Sequence, residues 1–557
     1  MNFTYKKNII FILNIFILSL LVLIDPRGNI ITESVLQTNS SISIAISYLV
    51  YDVKGFVGLR EVYDTISQSP HINEYLSRYY AHLGGFILNF DSINEIKNYR
   101  EIISNNIFEA KNLIINDPNN LHSFFGDVGY ISYIIVSFIL FGINLQSISL
   151  FFLTIIITSS VIFMITYQNR NIFFFILQTF LFLLIFIVIS NYGGSSQIAS
   201  MTNYRFISVL SIIPTLHLSF FFLDQKYLNV KNILLALTQL FILIFLYFVR
   251  GTSLWSFLFL ASFYFFWIVT IGIKNLKFNK NKIYLMLSVF FIFIISVSIG
   301  NLLIQNNSSN INKHETVMLK HPFWHSAFIG IAMHPKIHEK YVCSDKEFKD
   351  IKKNPVIKCG IYPLRFPNKS SLYKNVIYFQ PRDYFGYNAA VKYLNDNKIN
   401  ENIGMVNSFN LELSINWPRY ESILKKLYFD AIYNFPVEYI YLNLVVKPLR
   451  VFFEFIKFVF YFFSAFKLNT LFILLIFISS AFLQLIIFKN IKIKEDFNFI
   501  EKQNRKSIFH IFFIFLFFTS ILPSLIFYAS PQSGISEALI VFFALLMFII
   551  KKKFEKF

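Results

Sequence analysis

The first group that could do chemistry is Asp25, in Asp25-Pro26-Arg27-Gly28 at the end of the first long apolar run. A carboxylate beside an arginine at a membrane surface can act as a general base or hold a metal-bound phosphate. A solvated helix end followed by a proline turn would show the same residues. We therefore take Asp25 as a candidate catalytic residue and Arg27 as a candidate substrate ligand, with a structural turn as the alternative.

A second carboxylate lies between two glycines, in Gly126-Asp127-Val128-Gly129-Tyr130. Glycines let a backbone approach a ligand closely, so the segment is typical of a binding site. An acid at the start of a membrane helix is also favoured by the helix dipole. Asp127 is the second candidate catalytic residue, and a helix-end role is the alternative.

Histidines are concentrated between residues 314 and 338, where the pairs His321/His325 and His334/His338 each have a proline after the first histidine. Two histidines four residues apart can share a helix face and bind a metal. A proline in that place instead favours a helix cap followed by proline at the first helical position. We predict that His321 and His325 contact substrate. A divalent-metal site and a purely structural role stay open.

Two further segments combine charge with aromatic or apolar residues. Arg382 and Asp383 precede Tyr384-Phe385-Gly386-Tyr387, a mixture that suits sugar faces and phosphates, although a surface turn would look the same. Arg205 and His217 flank a proline in or beside an apolar run, and ionisable groups at such depth usually face a cavity. Arg205 can instead extend to the membrane interface. Arg205, Arg382 and Asp383 are predicted substrate ligands.

The composition defines the class of protein that must position these residues. Apolar residues make up 55% of the chain and charged residues 15%, whereas soluble domains carry about 25% charged residues. A soluble multidomain protein, a disordered chain and a coiled coil are excluded. The sequence predicts an all-α polytopic membrane protein. The 71 phenylalanines also reflect what an AT-rich genome encodes and carry no functional message.

Nine apolar runs approach the roughly 20 residues that cross a bilayer. They are Ile9–Ile24, Ile172–Ser190, Phe206–Leu223, Ile233–Val249, Leu254–Ile273, Ile283–Ile304, Leu471–Phe488, Ile508–Tyr528 and Ala538–Ile550. The stretch Tyr130–Tyr167 has a weak break at Gly142–Ser147 and crosses either twice or once with a re-entrant piece. The first run lacks a small-residue cleavage site, so we read it as a retained span.

Basic clusters at 274–282, 489–506 and 551–556 orient the chain, because Lys and Arg gather on the cytoplasmic side. Both termini are then cytoplasmic, about ten helices cross, and Tyr130–Tyr167 makes an odd number of crossings. The segment 449–466 does not cross. Its charged residues share one helix face, so it lies in the membrane interface.

This topology divides the chain into six parts. They are a first transmembrane helix at 1–24, an extracytoplasmic loop of amphipathic helices at 25–128, a transmembrane bundle at 129–304, an extracytoplasmic subdomain at 305–448, an interfacial helix at 449–466, and C-terminal transmembrane helices with a cytoplasmic tail at 467–557. From 25 to 127 the net charge is −5, and from 305 to 448 it is +7. Inside-positive topology cannot explain the second value, so it indicates an anionic substrate outside the membrane.

The two cysteines of the chain, Cys343 and Cys359, both lie in the second external segment. A pair confined to one external segment predicts a disulfide, and closing a loop of about 15 residues stabilises the fold by about 3 kcal/mol. Two unpaired thiols are the alternative.

No P-loop, Gly-rich dinucleotide motif or nucleic-acid motif is present, so we expect no nucleic-acid partner.

The layout resembles the GT-C superfamily of membrane glycosyltransferases. The resemblance rests on the acid that ends the first span (Asp25), the long external loop that follows, the acid at the loop's return (Asp127, followed by Phe141-Gly142) and the series of Phe-rich spans. It covers most of the chain by architecture. The usual acidic pair is absent, since Asp25 is followed by Pro-Arg-Gly, and the large external insertion precedes the final spans.

The resemblance implies an enzyme of the bacterial cytoplasmic membrane and cell envelope that takes a sugar from a polyprenyl-phosphate-type lipid donor. The acceptor would be a glycan, a lipid or a protein. Asp25 then maps onto the catalytic base or a ligand of a divalent metal, and Asp127 assists metal or acceptor binding. Two alternatives stay open. One is an O-antigen polymerase or ligase-type enzyme, and the other is a transporter or flippase of a lipid-linked sugar.

Overall fold

The computed structural model describes residues 3–24, 35–67, 93–123, 127–167, 170–190, 206–221, 229–273, 280–308, 323–343, 378–379, 384–399, 417–451, 471–490, 505–518, 522–527, 544–546 and 549–550. Helices dominate these residues, in agreement with the predicted all-α membrane class. The apolar runs explain this, because backbone polar groups in lipid must be paired within their own segment.

The described residues of the N-terminal part form α1 (Phe3–Ile24), α2 (Val35–Tyr51), β1 (Val57–Leu59), α3 (Arg60–Ser67), α4 (Ile93–Ala110) and β2 (Leu121–Ser123). The central part contains α5 (Gly129–Phe141), α6 (Leu145–Tyr167), α7 (Asn171–Ser190), a 3-10 turn (Phe206–Ser211) that leads into α8 (Ile212–Phe221), α9 (Val230–Val249), a 3-10 turn (Gly251–Ser253), α10 (Leu254–Ile273) and α11 (Lys280–Ser308).

The C-terminal part begins with the helices of the second predicted external segment. They are α12 (Phe323–Ile331), α13 (Pro335–Tyr341), α14 (Tyr384–Asp396), α15 (Trp417–Asn434) and α16 (Pro436–Tyr441). A π-helical turn (Leu442–Val446) extends α16 into residues 447–451. The helices α17 (Leu471–Asn490), α18 (Arg505–Leu516) and α19 (Leu522–Ile526) follow.

Within the described residues, three stretches are long and apolar enough to cross a membrane: Leu145–Tyr167, Val230–Val249 and Ile283–Ile304. Further apolar helices lie where the apolar runs predict spans, among them α1, α7, α8, α10 and α17. The apolar stretch described in each of them is shorter than in those three. The apolar residues of α11 are largely exposed, as expected of a surface that contacts lipid. About ten crossings and the orientation of the termini remain predictions.

The predicted break inside Tyr130–Tyr167 is confirmed. Gly142 ends α5 with φ of +87°, a conformation that glycine adopts without strain. The side chain of Asn144 then accepts the backbone N–H of Ser147 at 3.0 Å at the start of α6. The ring of Tyr133 lies 4.7 Å from that of Phe151, so the chain folds back on itself at this break.

Contacts along α9 show how α5 and α6 are placed. The Phe151 and Phe245 rings are 6.3 Å apart, and Gln239 donates to the Ser159 carbonyl oxygen at 2.8 Å. α6 and α9 therefore run antiparallel, and α6 begins toward the C-terminal end of α9. Because Gly129 packs against Phe248, α5 starts near that same end of α9.

The first predicted external segment is ordered around α2. Ser43 and Ser47 are buried; Ser43 is hydrogen-bonded to His122 Nε2 at 2.8 Å, and Ser47 accepts the Leu59 N–H at 2.9 Å. The short strands β1 and β2 pair antiparallel, a feature that the sequence did not predict because three residues show no alternation pattern. This pairing brings the end of the segment back onto α2.

The second predicted external segment has an apolar core of its own, formed by α12 to α16 around residues such as Phe328, Phe385 and Leu424. Cys343 is disulfide-bonded, and its expected partner Cys359 lies outside the described residues. The helix that begins at Pro436 continues past residue 448, where we placed the boundary of this subdomain. We call the described part, α12 to α16 with 442–451, the outer subdomain.

Candidate functional site

Asp127 lies where α5 starts beside the turn between α9 and α10. Its carboxylate oxygen Oδ2 accepts the backbone N–H of Gly251 at 3.1 Å, and its side chain is partly exposed. A bond to a rigid backbone donor fixes the orientation of the carboxylate, which favours the positioning of a substrate group or a cation. We call Asp127, Arg250 and Gly251 the α9–α10 turn site.

Arg250 brings a cation to this site. It follows α9 in an extended conformation, its Nε donates to Thr252 Oγ1 at 3.3 Å, and it is 8% exposed. Arg250 was not among the residues predicted from the sequence, because it stands in a four-residue connection that resembles an ordinary end of a span. A lone arginine between two apolar runs is the signal that could have identified it.

Gly129, two residues after Asp127, has a packing role. A Cβ at Gly129 would overlap the backbone carbonyl group of Phe248, so only glycine lets α5 approach α9 this closely. From the sequence we expected these glycines to let the backbone approach a ligand. For Gly129 the structure instead shows the close approach of a helix. Gly126 lies outside the described residues.

Most of the other predicted site residues lie outside the described residues: Asp25, Arg27, Arg205, His321, Arg382 and Asp383. Their roles remain predictions.

His217, which we expected to face a cavity, is fully buried. Its ring lies 5.1 Å from the Tyr167 ring and 5.9 Å from the Phe163 ring, so it is packed among aromatic side chains.

His325 is 5% exposed and lies inside the outer subdomain. Its Nδ1 is 2.6 Å from the Tyr420 hydroxyl, and the rings of Tyr387 and Tyr420 stack beside it at 5.3 Å. Gly386 allows this packing, because a Cβ there would overlap the Tyr420 hydroxyl and lie 2.8 Å from His325 Nδ1. These contacts favour the structural alternative for His325 over contact with substrate.

Glu421 holds the start of the helix that carries His325. Its carboxylate accepts the backbone N–H groups of Trp324 and His325, each at 2.8 Å, which satisfies two donors of the first turn of α12. Burial raises the pKa of Glu421, and these backbone bonds oppose the rise. Because the partners are nearly 100 residues apart, the sequence analysis had no signal for this cap.

His334 and His338 follow the cap-and-proline alternative. His334 is the N-cap of α13 and accepts the Lys336 N–H at 3.3 Å, with Pro335 in the first turn. The Nδ1 of the fully buried His338 is 3.1 Å from the Ala332 carbonyl oxygen. The His338 ring packs against the rings of Phe379 and Phe385, with centroids 4.9 and 4.4 Å away. Within the described ranges, no group of three or more metal-ligating side chains is found.

Comparisons with protein-family models, with characterised proteins and with solved structures find no match to this chain. The function is therefore inferred from the geometry of the α9–α10 turn site and from the charges of the chain.

Proposed function

We propose that the protein is a membrane glycosyltransferase of the GT-C type. It would move a sugar from a polyprenyl-phosphate-type lipid donor to an acceptor outside the membrane. The observation that carries the proposal is the α9–α10 turn site, where a partly exposed aspartate is fixed by a backbone N–H at the end of apolar helices, next to a buried arginine.

The location of this site suits a donor that is half lipid and half sugar phosphate. The turn lies at the ends of the apolar helices α5, α9 and α10, and a lipid chain that lies in the bilayer would present its phosphate at such an end. Arg250 supplies a positive charge there, and guanidinium groups bind phosphate oxygens in pairs. The net charge of +7 in 305–448 adds to the attraction of an anionic donor.

In the proposed reaction Asp25 takes the proton of an acceptor hydroxyl group. The hydroxyl oxygen attacks the anomeric carbon, the bond from that carbon to the phosphate oxygen breaks, and the polyprenyl phosphate leaves with the electron pair. A single displacement inverts the configuration of the sugar. Arg250 stabilises the charge on the leaving phosphate, and Asp127 orients the acceptor or a divalent cation.

The test uses the purified full-length protein with a panel of radiolabelled polyprenyl-phosphate sugars and measures the release of sugar from lipid. Asp25→Asn should lower turnover by about 10²–10⁴-fold, as expected for loss of a general base. Asp127→Asn should also lower it strongly, while the asparagine oxygen can still accept the Gly251 N–H and preserve the turn.

Asp117→Asn is the matched control, because Asp117 is an exposed aspartate of the same external loop whose carboxylate caps the local N–H of Asn119. It should retain wild-type turnover. Unchanged turnover in both Asp25→Asn and Asp127→Asn would refute the assignment of these acids. Movement of an intact labelled lipid across a vesicle membrane, without release of sugar, would favour the transporter alternative.

A further inference from the structure

Exposed apolar side chains line the last two helices of the outer subdomain. They recur every three or four residues from the end of α15 through α16 into the π-helical turn, and each is between 52% and 88% exposed: Phe429, Tyr433, Val437, Ile440 and Leu444. Side chains with this spacing are neighbours on one face of a helix. We call these five residues the apolar ridge. Exposed apolar surface of this extent marks a contact with another protein or with a membrane.

The junction of α15 and α16 keeps the two parts of the ridge in a fixed relation. The Phe435 N–H donates to the Ala431 carbonyl oxygen, and the Tyr439 N–H donates to the Phe435 carbonyl oxygen, each at 2.9 Å. Pro436, which lacks an N–H, stands at the start of α16. The hydroxyl groups of Tyr428 and Tyr439 are 2.9 Å apart and tie the two helices together. The ridge is therefore a built feature of the outer subdomain.

A chain of aromatic rings connects the ridge to the start of α10. The Phe429 ring lies 5.4 Å from that of Trp324, which lies 5.0 Å from that of Phe323. The Phe323 ring is 5.2 Å from that of Phe527, just after α19, and the Phe527 ring is 6.4 Å from that of Trp255. Trp255 stands in the first turn of α10, an apolar helix where the sequence predicts a span. Because the end of a span lies at the membrane surface, these contacts hold the start of the ridge close to that surface.

The residues at this connection are those of a membrane interface. Trp is enriched where the hydrocarbon meets the head groups, and both Trp255 and Trp324 belong to the chain of rings. The exposed Lys425 places its Nζ 5.6 Å from the centroid of the Trp324 ring, where the ammonium group can reach a lipid phosphate. Lysine is depleted from contacts between proteins. A lipid surface therefore fits this edge of the ridge better than a protein partner.

The ridge also precedes a segment with the same expected location. From the sequence we predicted an interfacial helix at 449–466, and the helix that contains Leu444 continues into its first residues. Arg450, one of the charged residues expected on its polar face, is instead buried at 6% exposure. Residues 452–466 lie outside the described residues. In the described part, the apolar surface suited to the interface is in α15 and α16, before the predicted boundary.

We propose that the apolar ridge inserts into the nearest leaflet of the membrane that the protein occupies. Its side chains enter the boundary between head groups and acyl chains to a depth of about 5–10 Å, as in other interfacial helices. Lys425 contacts lipid phosphate groups at the edge of the ridge. The outer subdomain is then held on the membrane close to the start of α10. This inference does not depend on the proposed transfer reaction.

The test places a nitroxide spin label on the full-length protein in vesicles of phosphatidylcholine and phosphatidylglycerol. Cys343 is disulfide-bonded, and the chain has two cysteines, so an added cysteine takes the label under oxidising conditions. Tyr433→Cys and Ile440→Cys label the ridge. Val391→Cys is the matched control, because Val391 is an exposed apolar residue of α14 outside the ridge. All three side chains are exposed, so these substitutions leave the core of the subdomain intact.

Collisions of each label with two relaxation agents are measured by electron paramagnetic resonance. Oxygen is concentrated in the hydrocarbon of the bilayer, and a charge-neutral nickel chelate stays in water. The ridge labels should collide mainly with oxygen, and the Val391 label should collide mainly with the nickel chelate.

The proposal is wrong if the ridge labels meet the nickel chelate as readily as the Val391 label does, because the ridge then faces water. It is also wrong if the ridge labels are shielded from both agents. In that case protein covers the ridge, either a second copy of the chain or another segment of the same chain.

Discussion

Acidification from pH 7 to pH 4 should destabilise the outer subdomain through two of its buried histidines, His334 and His338. Burial, opposed by the bond to the Ala332 carbonyl group and assisted by the charge of Lys392, lowers the pKa of His338 from 6.5 to about 4. Burial also lowers the pKa of His334 to about 4, where Lys336 adds to the effect and Glu438 opposes it. The folded subdomain therefore holds both side chains neutral at pH values where the unfolded chain protonates them.

The sign and the size of this loss of stability follow from proton linkage. Below pH 6.5 the histidine side chains of the unfolded chain are protonated, whereas His338 in the folded state is protonated only near pH 4. The stability is therefore fully present above pH 6.5 and falls as the pH drops toward 4. At about 1.36 kcal/mol per pH unit, the difference for the fully buried His338 corresponds to about 3 kcal/mol. Protonation would also place a new N–H donor between the rings of Phe379 and Phe385.

The assay is urea unfolding of the full-length protein in detergent at each pH, in a background in which Trp255, Trp267 and Trp417 are replaced by Phe so that Trp324 is the remaining tryptophan. Trp324 reports on this subdomain, because its ring packs 5.6 Å from Tyr428 and 5.4 Å from Phe429. His338→Gln removes the titrating ring and retains a donor for the Ala332 carbonyl group. His334→Asn removes the other ring and keeps a favoured N-cap.

Each variant should flatten the pH dependence between 6.5 and 4, and the double variant should flatten it most. A wild-type subdomain that keeps its stability down to pH 4 would refute the reasoning. The same conclusion follows if His338→Gln loses stability with pH as steeply as wild type.

Three further substitutions test the packing of the outer subdomain by the same unfolding measurement at pH 7. Gly386→Ala should cost about 1–3 kcal/mol by overpacking against Tyr420 and His325; an unchanged midpoint would show that α14 can move aside. Glu421→Gln should cost about 1–3 kcal/mol, because one amide oxygen replaces two charged acceptors at the start of α12. Cys343→Ser should cost about 3 kcal/mol under oxidising conditions and nothing after reduction, whereas a loss that persists in reductant would mean that the thiol packs rather than pairs.

The apolar runs by themselves predict the helices of the central part. Long stretches such as Ile172–Ser190 and Ile233–Val249 reappear as α7 and α9, because a backbone in lipid has few ways to pair its polar groups. Local signals were equally informative. The histidine-proline pattern at His334 offered a helix cap as one of its alternatives, and Gly142 marked the break before α6, since both depend on neighbours in sequence.

Only the tertiary structure brings together groups that are far apart along the chain. The Asp127 carboxylate meets Gly251, Glu421 meets the start of α12, and Lys447 meets the end of α12 and α19. A hydrophobic pattern shows which face of a helix is buried, but the partner of that face depends on how the helices cross. For this reason the sequence determined the membrane class and the charge asymmetry, and the packing of the helices decided which charges are buried and what lies beside them.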